Sequence, residues 1–240
     1  MPEFNDQNFY YHDLRGRLLG NKAREALVLH EIAGLGSSDF FLEVGCAQGH
    51  FEGKALEHCA NVFGGEYAFG KMAAAKRAFP KAEFLGLDAE VLPFRNRAFD
   101  FVLCTEVLEH VPDWRKAFAE LQRVSRRTVL VTVPLEKGYF WRALSKVKGM
   151  GTRGHLHRIG TRELRNALGE GWRVVKQEFV ATPSRRLNRV IGKRAKEKIG
   201  MYAVMLFERG KGKRPEPKEG NAGLKLDCGK GRKAEVKAWG

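Results

Sequence analysis

The string FFLEVGCAQGHF sets two glycines, Gly45 and Gly49, around a tight turn and places a carboxylate, Glu43, two positions before the first of them. Glycine accepts positive φ and lets a backbone approach a ligand closely. Where a helix follows, its first N–H groups are open to a carboxylate or a phosphate. The register separates the ligand classes. A G-x-G-x-x-G dinucleotide turn needs glycine or alanine at position 50, and His50 stands there. The pattern is E-x-G-x-A-x-G, and an acid beside such a turn suits a ligand that carries an ammonium as well as a carboxylate, which a pyrophosphate does not. Further along, Glu66 and Tyr67 close the run VFGGEY, and an acid at a second strand tip can accept both hydroxyls of a ribose. Asp88 and Ala89 follow a third apolar run, placed to touch an adenine edge. CTEVLEHVPD then brings Thr105, Glu106, Glu109 and His110 to the end of a fourth.

An amino acid joined to a ribose and an adenine is S-adenosylmethionine. Methyl transfer from its sulfonium is an in-line displacement, for which a protein mainly supplies alignment and a dry site. A general base is required only when the acceptor is protonated at working pH. His110, Glu109, His155 and His157 are the candidates. Each also has a plainer reading: Glu106 and Glu109 as loop carboxylates with local hydrogen bonds, and His110 as a residue orienting the Val111–Pro112 turn. His155 and His157 flank Leu156 and share a face in an extended segment. No third metal ligand is evident beside them, and no metal is expected.

The elements that must position these groups alternate. Leu14, Leu18, Ala23, Leu27, Val28 and Ile32 predict a helix over 11–34, stopped by Gly34 and Gly36. Strands are expected at 40–44, 61–65, 83–87, 99–105 and 128–133, with helices at 50–59, 70–79 and 113–124 between them. Asp113 is a suitable N-cap for the last of these helices. Thr161 caps a further helix, strands follow at 172–180 and 201–208, and a helix is allowed between them. Strand–helix alternation argues for an α/β fold with a doubly wound, mostly parallel sheet covered on both faces. The domain reading is an N-terminal helical cap over 1–37, a cofactor-binding domain over 38–208 and a basic tail over 209–240 with too few large apolar residues to fold alone.

Composition bounds the rest. The formal charge is +15 over 240 residues, but residues 183–200 and 209–240 each carry a net +6, so the main body is nearly neutral. Those segments suit a phosphate backbone, an anionic membrane surface or a solvated face. Few aromatics interleave with them, which argues against single-strand stacking. Cys46, Cys59, Cys104 and Cys228 form no C-x-x-C pair and read as small buried hydrophobes in a reducing compartment. No stretch approaches the ~20 apolar residues that cross a bilayer, and the N-terminus lacks signal-peptide character, so a cytoplasmic location is expected. The sequence specifies no oligomeric state.

The strings LEVGCAQG, GGEY, LDAEVLPFRNRAFDFVLCTEVLEHV and GHLHRIGTREL resemble class I S-adenosylmethionine-dependent methyltransferases, and within them the group that includes ubiquinone/menaquinone-biosynthesis enzymes. The resemblance covers roughly residues 38–180. It implies a seven-stranded sheet whose last strand is antiparallel. It implies that Glu43, Gly45, Cys46 and Gly49 hold the methionine end, Glu66 and Tyr67 the ribose, Asp88 and Ala89 the adenine, and that Thr105 and Glu106 line the floor near the sulfonium. Ala47 replaces the usual middle glycine, and Glu66 stands where aspartate is commoner. The expected acceptor is a small molecule or lipid-like ring, to which Phe9, Tyr10, Tyr11, Tyr139, Phe140 and Trp141 offer an aromatic lining. The alternative is an RNA methyltransferase, or a non-catalytic RNA-binding protein of this fold, using the basic C-terminal third. A nicotinamide-dependent oxidoreductase is disfavoured by His50.

Overall fold

The structure is a computed structural model that describes residues 21–135, 155–181, 189–192, 194–196 and 200–210. The expected helix over 11–20, the aromatic residues at 9–11 and 139–141, residues 182–188 of the basic segment and the tail from 211 lie outside the described residues.

Thirteen elements follow in chain order: α1 (Asn21–Ile32), β1 (Phe40–Val44), α2 (His50–Ala55), β2 (Asn61–Glu66), α3 (Phe69–Ala78), β3 (Glu83–Gly86), β4 (Phe99–Thr105), a 3-10 turn (Leu108–His110), α4 (Trp114–Val124), β5 (Ser125–Pro134), α5 (Thr161–Asn166), β6 (Trp172–Val180) and β7 (Tyr202–Arg209). The sheet has seven strands in the order β3-β2-β1-β4-β5-β7-β6. Strands β1 to β5 pair in parallel, and β7 runs antiparallel to both β5 and β6. The doubly wound sheet with one reversed strand is thus as the motifs implied.

Parity explains the two cores. Side chains alternate across a strand. Leu42, Val44, Val102, Cys104, Val129, Val131 and Val133 pack on one face against Trp114, Phe118 and Leu121 of α4. Phe41, Phe101, Leu103 and Leu130 pack on the other against Val28 and Ile32 of α1 and Phe51 and Ala55 of α2. A sheet buried on both faces reads as continuous apolar runs, which is why TVLVTV belongs to a central strand. The same parity sends Glu43 and Thr105 toward the α1–α2 face.

Element boundaries shift where local chemistry decides them. Asp113 is the N-cap of α4, its carboxylate accepting from Arg115 N and Lys116 N at 3.1 Å each. At α5 the cap is Gly160, whose extended backbone precedes the first turn, and Thr161 is already helical. Helix α2 stops at Ala55 rather than 59, because Leu56 to His58 turn back with 3-10-like bonds such as His58 N to Ala55 O at 2.9 Å.

Candidate cofactor and acceptor site

Strands β2 and β4 leave β1 on opposite sides, so the crevice at the carboxyl ends of β1 and β4 is the topological switch point, where open α/β sheets bind ligands. The glycine turn sits there. Gly45, Ala47 and Gly49 have φ of 88°, 45° and 81°, three left-handed residues in five. Gly45 N and Cys46 N both donate to Gly65 O, at 2.7 and 3.0 Å, and stitch the turn to β2. A Cβ on Gly45 would lie 2.2 Å from Val107 Cγ2, so any side chain would displace the β4 loop. Ala47 occupies a conformation that costs an L-residue roughly 1–2 kcal/mol. Its N–H is held in place by Glu66 Oε2 at 3.0 Å.

The acid at the end of β1 lies in a carboxylate pair. Glu43 is 2% exposed; its Oε1 accepts from the Thr105 hydroxyl at 3.3 Å, and Oε2 meets no N–H or hydroxyl donor among the described residues. Glu52, fully buried on α2, reaches the same space. Its Oε1 lies 2.6 Å from where a Cβ on Gly64 would stand, and Gly64 is the register partner of Glu43. Burial, then the neighbouring Glu52, raises the Glu43 carboxyl well above the usual range. Burial pushes Glu52 up to about 8. The bond between the two carboxyls raises Glu43 and lowers Glu52, so Glu43 is the member that holds the proton and donates to Glu52.

Glu66, one position beyond the paired end of β1, stands on the same rim. Its Oε2 takes Ala47 N and its Oε1 takes Ala68 N, each at 3.0 Å, so it braces the glycine turn and the start of α3 together. Each oxygen keeps a second lone pair for a hydroxyl. Tyr67 beside it is exposed. Asp88 is exposed, with Oδ1 accepting from Glu90 N at 2.8 Å. Ala89 is packed into the core, so what it can offer a ligand is backbone. Cys46 is likewise buried, its thiol pushed up by burial and by Glu52, and it contributes backbone only.

The rim beyond β4 is built differently. Glu106 has φ 56° and is buried; its N–H donates to Thr132 O, and its Oε1 accepts from the Thr132 hydroxyl at 2.7 Å. Arg24, from α1, approaches the same oxygen at 3.3 Å and lies 4.8 Å over the Tyr202 ring. Burial raises the Glu106 carboxyl, and the Arg24 charge opposes that rise. Glu109 is fully buried in the 3-10 turn, and the His110 and His155 rings meet edge to face with centroids 4.6 Å apart. His155 therefore lies beside His110, while the His157 ring bonds Pro112 O at 2.9 Å.

Two site residues were missed from the sequence. Glu52 sits in the first turn of α2, where an acid is ordinary helix chemistry and draws no notice. Arg24 comes from a helix whose polar residues give no sign of which one turns inward.

The arrangement fits S-adenosylmethionine by its own chemistry. A buried carboxylate oxygen without a donor, Glu43 Oε2, suits an ammonium, and Glu66 suits vicinal hydroxyls. The cofactor supplies an activated methyl group. The chain's acids would hold and orient it.

Comparison with known proteins agrees. The family described as a methyltransferase domain matches residues 42–132. The demethylmenaquinone methyltransferase of Renibacterium salmoninarum is 34% identical over 61 residues, which span 25% of this chain and only 26% of that protein. Among solved structures, magnesium protoporphyrin IX methyltransferase from Synechocystis with bound S-adenosylhomocysteine superposes with a TM-score of 0.63 at 16% identity, over 85% of this chain and 90% of that one. The YcgJ protein of Bacillus subtilis gives 0.60 at 16% identity, over 80% and 100%. At that identity these structures speak for the fold. The family match, the strand order and the glycine turn between two carboxylates together mark residues 42–132 as similar to a methyltransferase domain.

Proposed function

We propose that this chain transfers the methyl group of S-adenosylmethionine to a small, ring- or lipid-like acceptor that carries no phosphate at the reacting end. The observation that carries this reading is the burial of the acidic groups around the transfer point. Glu43, Glu52, Glu106 and Glu109 are all buried there, and Arg24 is the cation beside Glu106. Burial already pushes these carboxyls toward their protonated form, and a polyanion threaded past them would have to desolvate its phosphates with Arg24 already beside Glu106, whereas a neutral ring or a cation would not. In this reading Glu43 takes the ammonium of the cofactor, Glu66 the ribose hydroxyls, Asp88 and the Ala89 backbone the adenine, and Thr105 and Glu106 lie next to the sulfonium. His110, Glu109 or His155 accepts the acceptor's proton where one must leave. The part of the N-terminal segment that is described, helix α1, lends Arg24 to the site, and the residues beyond Arg209, where β7 ends, take no part in the chemistry.

The second reading, an RNA acceptor, is favoured by the net +6 over residues 183–200, within which Arg189 and Arg194 are exposed. One assay separates the two. The chain is incubated with cofactor radiolabelled in the methyl group and with cell extract fractionated into RNA, protein, lipid and small-molecule pools. Label is expected in the lipid or small-molecule pool. Label confined to RNA would overturn the first reading and support the second.

A further inference from the structure

Three of the candidate bases on the rim also stand together as a cluster, which proton removal by any one of them does not require. Glu109, His110 and His155 each offer one ligand atom, and these atoms lie within 4.8 Å of one another. Glu109 is fully buried, and both histidines are half-buried. The two segments that supply them are locked together by backbone. Leu156 N and His157 N both donate to Glu109 O, at 2.8 and 3.2 Å, and the His157 ring bonds Pro112 O at 2.9 Å. The three groups therefore converge because the 155–157 segment is clamped onto the 3-10 turn on either side of them.

We propose that Glu109, His110 and His155 form a binding site for a divalent first-row metal ion. Two imidazoles and one carboxylate suit Zn²⁺, Fe²⁺, Co²⁺ or Mn²⁺, and three protein ligands leave positions open for a further oxygen. A metal at about 2.0–2.2 Å from each ligand requires the ligand atoms to draw closer than they stand and the two rings to give up part of their edge-to-face contact, while the backbone clamp stays fixed. The Pro112 and Glu109 carbonyl bonds act as the outer support that holds such ligands in place. His155 stands close enough to Glu106, just beyond the end of β4, for its charge to act on that carboxyl, which puts the cluster beside the β4 end. On the methyltransferase reading, which this role rests on, the metal would bind a hydroxyl or phenolic oxygen of the acceptor and fix it next to the methyl group. That narrows the acceptor to one with an oxygen at or beside the methylated position.

The test uses the full chain, stripped with a chelator and titrated with Co²⁺ alone, followed by its visible absorption and by calorimetry. One Co²⁺ per chain with a ligand-field band, displaced by Zn²⁺, is expected. His110→Ala and His155→Ala should each weaken binding at least about tenfold, and Glu109→Gln by a similar factor. His58→Ala, on the loop after α2, should leave binding unchanged. Binding of S-adenosylhomocysteine, measured on the same variants, reports whether the fold and the cofactor end survive, and it should persist in all of them. If wild type binds Co²⁺, Zn²⁺ and Mn²⁺ no better than the His110→Ala/His155→Ala double variant, the cluster is an ion-paired structural group only and the proposal is overturned. If the metal binds as expected but no cofactor does, the metal site stands and the methyltransferase reading falls.

Discussion

The two ends of the crevice hold buried acids by opposite means. At the β1–β2 end, Glu43, Glu52 and Glu66 are held mostly by groups of the glycine turn and the elements beside it: a shared proton between two carboxyls, two backbone N–H groups and a glycine that clears space, with the Thr105 hydroxyl added from β4. At the β4–β5 end, Glu106 and Glu109 meet side chains brought from far along the chain, Arg24 of the first helix beside Glu106 and His155 beside Glu109, with His110 adjoining in sequence. Both arrangements answer the same cost, the desolvation of a carboxylate. The first does so by protonation and main-chain dipoles, and the second by opposite charge. The first end is consequently a site formed by a local motif. The second exists only after the whole sheet has folded.

The largest effect should come from breaking the local end. Gly45→Ala places a Cβ against Val107 at φ 88°. Cofactor affinity should fall at least about 100-fold, roughly 2.7 kcal/mol, by calorimetry. Affinity within a few-fold of wild type would mean that the turn adapts and does not depend on close backbone approach.

Breaking the distant end should cost stability instead. Arg24→Ala leaves Glu106 buried without its cation, and loss of one partner of a buried pair costs about 3 kcal/mol. Urea denaturation should show that loss. Cofactor affinity, read on the same variant, should change far less than in Gly45→Ala. Equal losses of affinity would merge the two ends into one unit.

Glu52 sharpens the contrast through pH. Its carboxyl titrates near 8 in the folded protein, against about 4.5 when unfolded. Between these values the native state binds more protons, so stability falls as pH rises, by up to about 1.4 kcal/mol per pH unit. Glu52→Gln keeps an amide oxygen that can accept from Glu43 and removes the titration of residue 52. Denaturation curves from pH 5 to 8 should flatten in the variant, and unchanged slopes would show that the proton is not held there.

The smallest effect concerns Ala47. Ala47→Gly relieves a left-handed φ of 45° and should gain at most about 1 kcal/mol, since glycine also loses more entropy on folding. A clear loss of stability would mean that the alanine methyl has a packing role.

This contrast also explains what could be read before the structure. The strand–turn–helix string, the acids at 43 and 66 and the apolar runs of β1, β4 and β5 are local patterns, and they folded as expected. Helix ends drifted where a glycine or a tight turn competed with the periodic signal, as at Gly160 and Ala55. The pairing of His155 with His110 rather than His157, and of Arg24 with Glu106, depends on contacts across tens of residues, and no spacing encodes them. Glu52 was visible as a residue but not as a partner, because helix chemistry alone accounts for an acid in a first turn.

The central claim is that Glu43 and Glu66, on adjoining strand tips, hold the two ends of one S-adenosylmethionine. Calorimetry with wild type and Glu43→Gln tests it most directly. Wild type should bind one cofactor per chain, and the variant should bind about 10–100-fold more weakly, the worth of a buried charge-assisted hydrogen bond. No heat from wild type with either the cofactor or its demethylated product, or a variant that binds as wild type does, would contradict it.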